Sequence, residues 1–268
     1  MTAPTTPAPA APTPARTTPT PAAPTASAGT APAAAITTPA LARTAPAAAI
    51  ATPAPARTGP PSAGDSWAGL LSDASAACLD ELRATAGEDW SRRAAGLDLS
   101  CRETLDHLAL GLVGYAGLLV ARPADRYITL FASLDPAAPV DTCLEGLHIA
   151  SALLAATVRS TPGDVRAWHP WGRSDATGFA AMGIAELVLH TYDITRGLGR
   201  PRPPSEGPAA AVLARLFPGA PAGHPAPDTL LWCTGRAALP GLPRLGTWQW
   251  DGAVRADRPL PPVSRSAR

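Results

Sequence analysis

Lysine is missing from this chain: all 22 of its basic residues are arginine. Set against 21 acids, they leave a formal net charge of +1. That balance excludes the basic footprint of a nucleic-acid binder or of a protein held to an anionic membrane. With the alanine and proline excess, the missing lysine points to a very GC-rich coding sequence. The first 63 residues lack still more. They carry only Arg16, Arg43 and Arg57, no acid precedes Asp65, and the remainder is almost entirely Ala, Pro and Thr. So few bulky apolar groups cannot offset the conformational entropy of folding. Dense proline also removes backbone donors and favours extended polyproline II. Residues 1–63 are therefore expected to be a disordered tail. Within it, residues 31–44 recur with two changes as residues 45–58, a period too short for a solenoid unit.

Other signals are missing too. The tail has no basic segment followed by an apolar one, so it does not read as a targeting sequence. No uncharged apolar run reaches the ~18 residues of a membrane span. A cytoplasmic protein without membrane or nucleic-acid partners is the expectation. The four cysteines (Cys78, Cys101, Cys143 and Cys233) are scattered without a CxxC pair, which argues for buried, reduced thiols.

From Gly64 the composition becomes that of a folded chain, and four amphipathic helices are predicted. The first runs from Ser66 to Thr85, with Trp67, Leu70, Leu71, Ala74, Cys78 and Leu82 at spacings of three and four. The second starts at Ser100, which forms a capping box with Glu103, and stops at Pro123. Its core stripe is Leu105, Leu108, Leu112, Tyr115 and Leu119. The third follows Asp141 or Thr142 and ends near Arg159, with Leu144, Leu147, Ser151, Leu154 and Val158 inward. The fourth begins at a cap on Ser174 or Asp175 and ends at Gly197–Gly199. No strand pattern lies between them, so the fold expected is an all-α four-helix bundle over residues 64–200. Residues 201–268 read as a short, Pro-rich, partly helical C-terminal extension.

The fourth helix carries the chemistry. Glu186, His190 and Asp193 share one face of an otherwise apolar helix, and buried ionisable groups are costly unless they pair or bind a metal. Glu-x-x-x-His sets a carboxylate and an imidazole one turn apart, within reach of one cation. His107 on the second helix is the best third ligand. It lies in line with Gly111 and Gly114, whose missing side chains would leave open volume beside the imidazole. Two His and one Glu would make a three-ligand site with an open position. His148 is read as a helix-edge residue or a substitute ligand, and His224 as exposed. In the aromatic loop, Trp168, His169 and Trp171 either line a substrate entrance or pack the loop onto the bundle.

LDLSCRETLDHLALGLVGYAGLL followed by GFAAMGIAELVLHTYDITRGLG resembles the DinB-like superfamily. More closely, it resembles the metal-binding domain of mycothiol-dependent maleylpyruvate isomerases, an actinobacterial group. The likeness covers roughly residues 65–200 and continues weakly through LLWCTGRAALPG and TWQW. It implies a divalent metal, zinc, on His107, Glu186 and His190, and mycothiol as thiol co-substrate. It also implies an isomerase or S-transferase acting on a small electrophilic substrate; a monomer or homodimer is the expected state. Asp193 would orient a ligand imidazole or relay a proton; otherwise it pairs with Arg196 or Arg159. Arg236 is a candidate clamp for a carboxylate substrate, or a surface residue. The competing reading is a non-catalytic metal-binding regulatory or interaction module.

Overall fold

Six helices lie among the described residues, the first four of them in the segments whose periodicity predicts helices. The computed structural model describes residues 63–130 and 132–254. The expected tail, residues 1–63, lies outside them but for Ala63, which opens the first helix. The helices are α1 (Ala63–Arg83), α2 (Cys101–Ala121), α3 (Val140–Ser160), α4 (Ala176–Gly197), α5 (Glu206–Leu216) and α6 (Ala226–Cys233). All the described residues belong to one compact unit. Among the described residues β-pairing is limited to three isolated bridges, so the class is all-α.

The helix ends follow local chemistry. Ser100 caps α2 reciprocally: its side chain accepts from the Glu103 N–H, and the Glu103 carboxylate accepts from the Ser100 N–H. At the other end Arg122 takes a left-handed conformation, φ 50°, and its N–H donates to Leu118 O. A residue before proline avoids the right-handed helical region, so Pro123 ends the helix through Arg122. Asp175 caps α4 by accepting from the Gly178 N–H. The start of α3 departs from expectation. It begins at Val140 behind Pro139, with no side-chain cap, so neither Asp141 nor Thr142 performs that role.

In the long-helix core, α1 packs on α3 and α4, and α2 packs on the same two. The stripe Leu105, Leu108, Leu112, Tyr115 and Leu119 is buried, as are Leu144, Leu147, Ser151, Leu154 and Val158. The helices close around Gly183. A Cβ there would lie 2.6 Å from Leu154 of α3, 3.2 Å from Leu112 of α2 and 3.4 Å from Leu71 of α1. Only glycine lets α4 approach all three neighbours at one level. Among the described residues α2 alone has the length and hydropathy of a membrane span, and its Leu stripe is used in this core.

Residues beyond α4 pack back onto it. Helix α5 lies against α4 and α6. Arg215 of α5 pairs with Asp175 at 3.1 Å. The Gly252 N–H donates to Trp171 O, and the Ser174 hydroxyl donates to Gly252 O. These bonds seat the Trp-rich end of the chain on the aromatic loop that precedes α4. All four cysteines are free, buried and helical.

Gly183→Val is expected to destabilise the protein by about 1–3 kcal/mol through overpacking. The readout is a lowered urea midpoint at unchanged slope; an unchanged midpoint would mean the helices do not meet at this level.

Candidate metal centre

The i,i+4 pair on α4 points at a histidine of α2. His190 Nε2 lies 3.0 Å from Glu186 Oε2, and both side chains are largely buried, 12% and 14% exposed. The His107 ring stands across from His190, centroids 5.2 Å apart and nearly perpendicular. His107 is the solvent-exposed member. One donor atom from each of the three residues lies within 4.8 Å of the others. Bonds of ~2.0–2.1 Å at tetrahedral angles place donors about 3.3 Å apart, so an ion needs only a modest inward turn of the side chains. The His107, Glu186 and His190 cluster can therefore hold a metal ion.

Around these donors lies a ring of partners. The Tyr115 hydroxyl donates to Glu186 Oε1 at 3.0 Å, leaving Oε2 toward the histidines. On the far side of His190, Nδ1 lies 3.2 Å from Asp193 Oδ2. A carboxylate there favours a proton on Nδ1, which would leave Nε2 as the atom that can face an ion. Asp193 is 1% exposed and is held by Arg236, whose Nε and Nη2 donate to its carboxylate at 2.9 and 2.6 Å. Thus the guanidinium that holds Asp193 comes from Arg236, whereas that of Arg196 lies over the Tyr192 ring. Arg236 is neither a surface residue nor an open clamp: its guanidinium is spent on Asp193, with Nη1 donating to Thr234 O.

Charges follow this geometry. Burial pushes the Glu186 carboxyl up, but His190, His107 and the Tyr115 hydroxyl pull it down to about 2. Burial pushes the His190 imidazole down, but its hydrogen bonds to Asp193 and Glu186 lift it to about 9. Partial burial of its ring holds His107 below the ordinary histidine value, against the pull of Glu186. Burial raises the Asp193 carboxyl, and its hydrogen bonds from His190 and Arg236 overcome this and lower it.

The site opens into a cavity of about 360 Å³. Its wall includes the three donors, Asp193, Arg196, Arg236, Arg244 and the indoles of Trp171, Trp248 and Trp250. The aromatic loop divides its roles. Trp171 reaches the cavity. His169 is 7% exposed and packs behind it, against Tyr115, Phe179, Trp171 and Trp250. Trp168 is half-buried, with its backbone N–H donating to Pro123 O, and is not part of the cavity wall. His148 is exposed and His224 half-buried; neither joins the cluster.

The glycines after His107 behave unequally. A Cβ on Gly111 would meet nothing within 4 Å, but one on Gly114 would overlap the Tyr127 hydroxyl. Gly114 therefore receives the loop between α2 and α3 and leaves no open volume. Tyr127 escaped sequence reasoning, as did the polar role of Tyr115; a glycine two turns after His107 was the available signal. No protein-family model matches the chain, and no curated protein or solved structure matches it.

Two outcomes test this account. Arg236→Met leaves Asp193 buried without its guanidinium and should cost roughly 3 kcal/mol of stability in urea denaturation. Burial holds His169 at about 4, below the ~6.5 of an unfolded histidine. Between those values the unfolded chain binds a proton that the folded chain refuses. Stability from this residue is thus fully present above pH ~6.5 and falls by up to about 3 kcal/mol as pH drops to ~4. His169→Phe should flatten the melting temperature over that window; an unchanged slope would contradict it.

Proposed function

We propose that this chain is a divalent-metal enzyme of the DinB-like type, in which a low-molecular-weight thiol attacks a small electrophilic substrate. The observation that carries the reading is one carboxylate and two imidazoles, from two helices, converging on an open cavity. Closed structural zinc sites use four protein ligands, whereas catalytic ones use three and keep a position free. His107, Glu186 and His190 would hold the ion, zinc in this reading, which supplies the Lewis acidity that keeps a thiol ionised near neutral pH. The resemblance to mycothiol-dependent isomerases, together with the lysine-free composition, supports mycothiol as the thiol.

The surrounding residues have separate tasks. Asp193 holds the proton of His190 on Nδ1, and Arg236 keeps Asp193 charged. Tyr115 holds Glu186 Oε1, so that one carboxylate oxygen remains for the ion. Arg196 and Arg244, rather than the Asp193-bound Arg236, are the cavity's cations for an anionic substrate group. Trp171 excludes water along one wall. In the reaction the thiolate sulfur forms a bond to the electrophilic carbon of an activated double bond, and the π pair moves onto the conjugated acceptor. For isomerisation the new single bond rotates, the pair returns, and the C–S bond breaks to release the thiolate. For conjugation, protonation of the adduct ends the sequence.

The test is elemental analysis of the purified full chain followed by an electrophile screen with mycothiol. About one equivalent of divalent metal is expected in wild type and less than a tenth in His190→Ala. Mycothiol-dependent turnover should be lost with the metal. Metal without turnover would favour the binding-module reading, and a folded, metal-free wild type would overturn the proposal.

A further inference from the structure

A second and larger cavity, of about 600 Å³, adjoins the metal cavity. The same three indoles, Trp171, Trp248 and Trp250, appear in the walls of both. Beyond that shared wall the second cavity adds Trp232 and Phe217, with the exposed Gln249 amide at its edge. Four of the seven tryptophans of the chain thus line one groove.

The indoles are held in fixed, mutually inclined orientations. Trp171 meets Trp250 at 4.8 Å and 81°, and Trp248 at 5.7 Å and 65°. Trp248 and Trp250 stand 5.8 Å apart at 50°. At these separations the rings fill the space between themselves, so a ligand must lie against the wall and not between its members. Trp232 is anchored separately, its indole N–H donating to Pro243 O at 2.9 Å. Trp250 is 5% exposed, and its indole N–H has no hydrogen-bond partner. A buried donor left unmade costs about 1–3 kcal/mol, which the sequence tolerates at the boundary between the two cavities.

Packing alone does not call for this arrangement. Aromatic side chains that merely fill a core are enclosed, whereas Trp171, Trp232 and Trp248 remain only partly buried around open volume. Pre-ordered indole faces and edges gain most from a flat π-system, through offset or edge-to-face contact worth about 0.5–1.5 kcal/mol per pair beyond area burial. The metal cavity differs in character, with three donors and three arginines in its wall.

We infer that the Trp171–Trp232–Trp248–Trp250 groove binds a planar, conjugated or aromatic ring, and that it is the subsite for the ring-bearing end of the electrophilic substrate. The assignment of the groove as a substrate subsite rests on the function proposed above; the ring binding itself does not require the metal. The electrophilic carbon would then lie past the edge of the shared indoles, with the ring against their groove face and the His107–Glu186–His190 cluster beyond.

Calorimetric titration of the full-length, metal-loaded chain with 2-naphthol and with its saturated counterpart, decahydro-2-naphthol, tests the inference. The planar probe should bind at least tenfold more tightly, and Trp232→Leu should weaken it at least fivefold without changing metal content. His107→Ala should lose metal yet retain 2-naphthol binding, so failure of the metal reading is seen separately from failure of the groove. Equal affinity for the planar and saturated probes would overturn the inference. So would unchanged 2-naphthol affinity in a folded Trp232→Leu protein. If that variant does not fold, the planar-to-saturated ratio on wild type decides alone.

Discussion

The Asp193 carboxylate ties the molecule together. It is only 1% exposed, and a charge there survives only because it is shared between His190 and the Arg236 guanidinium. Through His190 it orients the metal cluster. Through Arg236 it binds the segment after α6 to the C-terminal end of α4. Its backbone oxygen also accepts the Ala95 N–H, fastening the connector between α1 and α2 to the same point. Removing one partner of a buried pair costs more than the pair itself contributes, so the site and the fold of the C-terminal residues cannot be separated energetically.

That coupling explains the placement of the extension. Residues 201–254 supply Arg236 and Arg244 to the metal cavity and three of the four indoles to the neighbouring groove. They are held there by Arg215 on Asp175 and by Gly252 on the loop before α4. The long helices furnish the three candidate ligands, and the extension builds the walls.

What could be read from sequence was local. Helical periodicity gave the inward stripes of α2 and α3, and the Ser100–Glu103 spacing gave the start of α2. The four-residue step from Glu186 to His190 placed both on one face because that step is a property of the helix itself. Non-local facts were less accessible. Nothing in the spacing pairs Asp193 with Arg236, since the contact spans two helices and several turns. Tyr115 was legible as a core residue, yet its hydroxyl reaches Glu186 across the helix interface. Gly114 looked like empty space because the sequence does not reveal that Tyr127 folds back onto it. The start of α3 failed for a different reason: side chains with capping chemistry were present, but the chain turns into the helix at Pro139.

The central claim is that His107, Glu186 and His190 hold a divalent ion with a coordination position left open. Cobalt substitution tests it most directly. The cobalt-loaded chain should give the strong visible absorption of a low-coordinate site, and adding thiol should bring in a sulfur-to-metal charge-transfer band, with both lost in His190→Ala. A weak, octahedral cobalt spectrum that thiol does not alter would contradict the account.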